Sequence, residues 1–217
     1  MMTLLSAALA IDAQRYGPDG TFTAVTSDSR AIAAGDLFVA IKGDHFDGHA
    51  FVADAIRQGA TGALVSQKFA AAHPELPLIA VADTRLGLGE LAAAWRSRFT
   101  LPLIGVTGSN GKTTVKEMCA AILRTQGGEV LATAGNLNND IGLPLTLLKL
   151  RDTHTSAVIE MGMNHAGEID YLTHLAKPTV ALVINAQRAH LAGLGTVQNI
   201  GLAKGAVFGM FVALVAC

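Results

Sequence analysis

Between residues 105 and 114 the chain reads Gly-Val-Thr-Gly-Ser-Asn-Gly-Lys-Thr-Thr, after the apolar run Leu101–Ile104 and before a helix-like stretch from Val115 to Gln126. A strand that breaks into glycines and reopens as a helix on Lys-Thr lets backbone N–H groups close on phosphate oxygens. The helix N-terminus adds partial positive charge, Lys112 reaches the outer phosphates, and the Thr113 hydroxyl suits Mg²⁺. The residues expected to hold ATP are therefore Thr107, Gly108, Ser109, Asn110, Gly111, Lys112, Thr113 and Thr114. The common P-loop pattern has a glycine five positions before the Gly of Gly-Lys, where Val106 stands here. The plainer reading is a glycine turn with no ligand. The adjoining Lys-Thr and the flanking strand and helix favour a nucleotide. A GTPase switch is disfavoured, since no Asn-Lys-x-Asp segment is present to read guanine.

Three further groups fall where such a site needs them. Glu160 ends the apolar run Ala157-Val-Ile-Glu. A carboxylate at the tip of a buried strand beside a phosphate loop is a natural Mg²⁺ ligand, because that ion needs only one or two protein oxygens. Otherwise it is a capping or salt-bridged acid. His190 follows Asn185 by five residues in the loop after the next strand. It is either a solvated loop histidine or a ligand for a second divalent ion. The segment Gly135-Asn-Leu-Asn-Asn-Asp-Ile-Gly142 is too polar to be buried without partners. It reads equally as a solvent loop or as a clamp whose amides reach phosphate or a substrate carboxylate.

The elements that must position these groups show in the hydrophobic pattern. Short apolar runs at Asp36–Lys42, Gly62–Ser66 and Leu78–Ala82 predict strands, and His49–Gly59 predicts a helix. Residues 70–77, with Pro74 and Pro77, read as a loop, and Leu86–Phe99 as a helix connecting two domains. Beyond it strand and helix alternate: Leu103–Val106, Val115–Gln126, Glu129–Thr133, Leu143–Leu150, Ala157–Met161, Glu168–Ala176, Thr179–Ile184 and Val197–Ala203. Continuous apolar strands such as Ala157–Ile159 and Val180–Ile184 predict burial on both faces, hence a mainly parallel sheet between helices. The expected class is α/β: a small N-terminal α/β substrate domain over 1–83, a connecting helix over 84–100, and a partial P-loop ATPase domain over 101–217. Ligands in such sheets sit beyond the carboxyl ends of the strands, where the phosphate loop, Glu160 and Asn185 all fall.

Composition sets the background. With 217 residues and a net charge of −1, no basic run favours nucleic acid or an anionic membrane surface. Two cysteines give no disulfide framework, and Cys119 reads as a small core residue. The N-terminal decapeptide lacks a basic region and reads as a short helix rather than a signal peptide. No apolar stretch reaches the ~20 residues of a spanning helix, so a cytoplasmic location is expected. The apolar segment 206–217 has no polar face and needs burial.

Taken in order, several segments resemble the Mur ligases, ATP-dependent enzymes of bacterial cell-wall synthesis. They are Ser27-Asp-Ser-Arg30, Gly35–Gly43 with Asp47-Gly-His49, Thr107–Thr114, Gly135-Asn-Leu-Asn-Asn139, Ile159–His165 with Gly167-Glu168, Asn185 to His190, and Ala203-Lys-Gly205. Gly-Asn-Leu-Asn-Asn and Glu-Met-Gly-Met resemble the branch that joins D-alanyl-D-alanine to a UDP-N-acetylmuramoyl-tripeptide. The sister ligases that add a diamino acid are the alternative, and a nucleotide-binding module without ligase activity is another. The resemblance implies ATP and Mg²⁺ as cofactors and an acyl-phosphate intermediate. It implies catalytic roles for Lys112, Glu160, His190 and Lys204, with Thr113, Glu160 and His190 as metal ligands and Lys204 carbamylated. Ser27, Ser29, Asp44, His45 and Phe46 would contact the uridine nucleotide, and Asn136, Asn138 and Asn139 the substrate.

The chain also departs from the family. Ala206 and Ala192 stand where acidic residues are usual, and after Gly205 the pattern is lost. Family members continue into a C-terminal domain, so this polypeptide alone is expected to be inactive or nearly so. A frameshift or truncation would explain the ending.

Overall fold

The computed structural model describes residues 1–43, 46–187 and 196–209. The chain divides into two compact units between Ala94 and Trp95.

The first unit is a five-stranded sheet ordered β2-β7-β6-β5-β4, built from β2 (Gln14–Tyr16), β4 (Ala24–Thr26), β5 (Asp36–Val39), β6 (Gly62–Ser66) and β7 (Leu78–Val81). β4 to β7 run parallel, and β2 closes the edge antiparallel to β7. β1 (Met2–Thr3) and β3 (Thr21–Phe22) form a separate antiparallel pair. Every residue of β5 and β7 is buried, as parallel strands covered on both faces require. Phe38, Ala63, Val65, Leu78 and Ala80 face α2 (Val52–Arg57) and α3 (Gln67–Ala72). The alternate residues look the other way, where a methyl group added at Gly62 would meet Leu4 of α1 (Leu4–Ala10). Two expectations change here. Residues 67–72, partly assigned to a loop, form α3 because Ser66 caps it by accepting from Phe69 N–H. The helix expected from His49 begins as a 3-10 turn over Gly48–Phe51.

α4 (Thr84–Arg96) carries the chain to the second unit. There the indole of Trp95 donates to the Leu150 carbonyl at 3.1 Å. The buried Arg96 guanidinium donates to the Ala176 and Lys177 carbonyls at 2.9 and 3.3 Å.

The second unit is an all-parallel sheet ordered β11-β8-β10-β9, from β8 (Leu103–Thr107), β9 (Glu129–Ala132), β10 (His154–Glu160) and β11 (Val180–Val183). α5 (Lys112–Thr125) links β8 to β9 and packs Val115, Cys119, Ala120 and Leu123 on Val106 and Val158. α6 (Gly142–Leu147) and α7 (Glu168–Ala176) make the other crossovers, and both pack against the sheet's central strands. The chain leaves β8 towards β9 and leaves β10 in the opposite direction, towards β11. Between two such strands an open parallel sheet forms its ligand crevice. β11, expected to be buried on both faces, is half-buried and Val180 is 47% exposed, because it lies at the sheet edge among the described residues. Val197–Gly205 forms α8, followed by a 3-10 turn at Ala206–Phe208 whose Val207 is buried. Most of the apolar tail lies outside the described residues.

Replacing Arg96 with Met would strand the two carbonyls at the end of α7. The second unit should lose about 1.5–3 kcal/mol, the range for hydrogen bonds to a charged group. Trp95 is the single tryptophan, so urea unfolding followed by its fluorescence measures that loss.

Candidate nucleotide-binding site

Gly111 takes a left-handed conformation, φ 78°, and its carbonyl accepts from Val115 N–H as α5 begins. This is the one-residue reversal that turns the loop into a helix N-terminus, and it strains any residue with a Cβ. Val106 explains the departure from the usual glycine pattern. It belongs to β8, is fully buried and packs in the core, so the loop proper is only the turn that follows.

The loop is braced from the neighbouring strand. Asn185, just past β11, accepts through Oδ1 from the N–H groups of Ser109 and Asn110 at 3.0 and 3.1 Å. Its Nδ2 donates to the Asn110 carbonyl at 3.1 Å. Gln187 adds contacts to the Ser109 hydroxyl and the Asn110 amide. Lys112 Nζ donates to the Gly108 carbonyl at 2.9 Å, so its ammonium lies over the loop. The buried Thr107 hydroxyl donates to the Met161 carbonyl at 2.9 Å, which makes it a tie between strands rather than a group facing the loop. Thr114 is exposed on the first turn of α5.

Glu160 is 2% exposed, and each oxygen has a partner. The Thr113 hydroxyl donates to Oε2 at 3.0 Å and Asn138 Nδ2 donates to Oε1 at 2.7 Å. Asn138 is fixed in turn, because its carbonyl accepts from Gly162 N–H at 2.8 Å. A Cβ at residue 162 would come within 2.6 Å of Asn138 Oδ1, so only glycine allows that approach. Each carboxylate oxygen keeps lone-pair capacity beyond these bonds. A hydroxyl and a carboxylate converging from two elements fit Mg²⁺, which takes oxygen ligands and completes its shell with water and phosphate. Among the described residues no cluster of three or more His, Cys, Asp or Glu suits a metal.

Lys204, on α8, is 1% exposed, and its amine is pulled down from 10.5 to about 8, chiefly by burial and then by the like charge of Lys112. The two predicted lysines therefore share one region. Asn139 Oδ1 accepts from Ile141 and Gly142 N–H just where α6 begins. Lys112, Asn138, Asn139, Gly162, Met163, Asn164 and Glu168 line a polar hollow of about 120 Å³. Asn136 is exposed and contributes its carbonyl to Asn138 N–H. His190 lies outside the described residues.

In the first unit Ser27, Ser29 and Phe46 line one cavity of about 370 Å³ with Asp28, Arg30 and Phe51. The rings of Phe46 and Phe51 stack with centroids 5.3 Å apart. Arg30 grips Asp28 through both oxygens and holds its carboxyl at about 2. Asp44 and His45 lie outside the described residues. A wider cavity of about 550 Å³, lined by Lys42, Lys68 and Arg85 with Asp47 and Asp83, contains none of the predicted residues.

Residues 106–214 match the Mur ligase middle domain, and residues 21–96 match the Mur ligase family, catalytic domain. The chain belongs to the Mur ligase family. It is 47% identical over 207 residues to the UDP-N-acetylmuramoyl-tripeptide–D-alanyl-D-alanine ligase of Escherichia coli (strain K12), covering 95% of this chain and 45% of that protein. The structure of MurF from Acinetobacter baumannii superposes with a TM-score of 0.87 at 39% identity, over 96% of this chain and 46% of that one. A MurF ligase from Thermotoga maritima in complex with ADP gives 0.76 at 34% identity, over 85% and 42%. The chain spans less than half the length of the curated relatives it matches. Within the Mur ligase frame, the contacts that spacing did not single out are Gln187, Thr133 and Lys116. Lys116 alone left a trace, as a charge within the apolar stripe of α5.

The fold favours the neutral form of Lys204. Its protonated form weakens the folded state below about 8, and this penalty fades as pH rises through about 8 towards 10.5. Lys204→Met should remove that rise in stability, measured as the difference in urea midpoint between wild type and variant on either side of pH 8.

Proposed function

We propose that this chain carries the substrate-nucleotide and ATP-binding parts of a ligase that joins D-alanyl-D-alanine to a UDP-N-acetylmuramoyl-tripeptide. The observation that carries the reading is the convergence of Lys112, Thr113 and Glu160 at the ends of β8 and β10. The similarity to named ligases of that specificity supports the choice of substrates. The stretch 1–83 would hold the uridine nucleotide through Ser27, Ser29, Asp44, His45 and Phe46, with 84–100 connecting it to the ATP-binding stretch from 101. The product is a soluble precursor of the cell wall, and the reading assigns the enzyme to the cytoplasm.

In this reading ATP phosphorylates the terminal carboxylate of the tripeptide. The amine of D-alanyl-D-alanine then attacks the acyl phosphate, and phosphate leaves as the amide forms. Two anions must meet in the first step, so positive charge governs the barrier. Lys112 and the loop amides would hold the outer phosphates. Thr113 and Glu160 would hold Mg²⁺, which when bound offsets phosphate charge, and His190 would serve a second ion. Asn138 and Asn139, beside Lys112 in the polar hollow, would meet the substrate carboxylate. An amine with a value near 8 is partly neutral at physiological pH. Neutral amines add CO₂ and release a proton, so Lys204 would become a carbamate, an anion beside Lys112.

Calorimetric titration of this chain with ATP in Mg²⁺ should show binding. Lys112→Ala should weaken it at least about tenfold, a change of about 1.4 kcal/mol. In the longer enzyme, phosphate release should require both the tripeptide precursor and D-alanyl-D-alanine. Release with a diamino acid instead would reassign the acceptor, and binding without release would leave a nucleotide module.

A further inference from the structure

Lys116 stands where its helix asks for an apolar residue. With Cys119, Ala120 and Leu123 it forms the stripe of α5 that packs on the sheet, and it is 1% exposed. A charge forced into that stripe is the kind of local conflict that marks a functional position. Its ammonium donates to the Thr133 carbonyl at 2.7 Å and lies 2.7 Å from Glu117 Oε1. Thr133, also buried, directly follows β9, and its own N–H donates to the Val158 carbonyl at 3.1 Å. Its hydroxyl oxygen accepts the N–H of Glu160 at 2.9 Å. Five residues later the same loop supplies Asn138, whose amide holds Glu160 Oε1.

We propose that Lys116 is a positioning residue for the metal-facing carboxylate. It ties the loop after β9 to α5, the helix that carries Thr113, and so fixes how Glu160 meets the Thr113 hydroxyl. The inference rests on the Mg²⁺–nucleotide reading above. A leucine would fill the same space but leave the Thr133 carbonyl without its donor and the loop free to drift. Mg²⁺ demands near-ideal ligand geometry, and loss of a group that orients its ligands typically weakens metal affinity about 10–100-fold. Glu117 keeps the buried ammonium compensated, and its own carboxyl is pulled down by hydrogen bonding to Lys116.

The test is calorimetric titration of the full chain with ATP, once in Mg²⁺ and once in EDTA. Lys116→Met should lose about tenfold or more of its affinity in Mg²⁺ and keep its affinity in EDTA. Lys116→Gln, which retains an N–H donor, should recover much of the loss. Thr133→Val keeps the carbonyl but removes the hydroxyl acceptor, and should reproduce the Mg²⁺-selective loss with Lys116 in place. Equal losses in both conditions for a Lys116→Met protein that melts like wild type would overturn the proposal. So would wild-type binding by Thr133→Val. If Lys116→Met does not fold, Thr133→Val decides. Failure of the wild type to bind ATP in Mg²⁺ would instead remove the nucleotide reading, and this inference with it.

Discussion

The site depends on register. In the second unit Glu160 of β10 pairs with Val106 of β8, so the carboxylate emerges level with the start of the phosphate loop. Successive residues of a strand point to opposite faces, and a slip of one residue would turn Glu160 away from α5 and into the layer that Ile159 now occupies. Two observations pin the register. Thr107 donates across to Met161, and the Glu160 N–H is claimed by Thr133. The fully buried Val158, Ile159 and Val106 supply the apolar reason that no other alignment competes.

Burial then gives those few polar groups their strength. Glu160, Lys116, Thr107, Thr133 and Lys204 are all nearly inaccessible to water, and the first four carry explicit hydrogen bonds. A buried polar network of this kind is worth having only when its members are satisfied. It then holds each atom to a narrow range of positions, as a hard cation and a triphosphate require. Lys112 on α5 adds positive charge at the loop, and Lys204 on α8 is close enough to feel that charge while burial favours its neutral form.

Much of this was legible in the sequence, because the strongest signals were local. The loop from Gly108 to Gly111, the apolar tip at Glu160 and the alternation of strand and helix each occupy a few contiguous residues. The chemistry at those places follows from residue type. Boundaries move where capping decides them, as at Ser66, which starts a helix that runs into the first residues of the expected loop at 70–77. The burial of β11 differs from its sequence pattern because an apolar run cannot show whether a strand lies at the centre or the edge of a sheet. The strand end places Asn185 at the crevice, but its grip on the loop, like that of Thr133 on Glu160, runs to backbone groups far away in sequence, and no spacing rule finds such partners. Lys116 was visible only as a violation of its own helix pattern. His190, Asp44 and His45 lie outside the described residues and stay as sequence readings.

The double grip of Asn185 on the loop has an energetic consequence. The N–H groups of Ser109 and Asn110 already have an acceptor, so a phosphate arriving there exchanges partners instead of satisfying bare donors. Such a swap gains only the difference between a charged and a neutral acceptor, so what distinguishes one anion from another is then its net charge. A ligand bearing several negative charges would out-compete a singly charged one of the same shape, which turns an amide brace into a filter for valence.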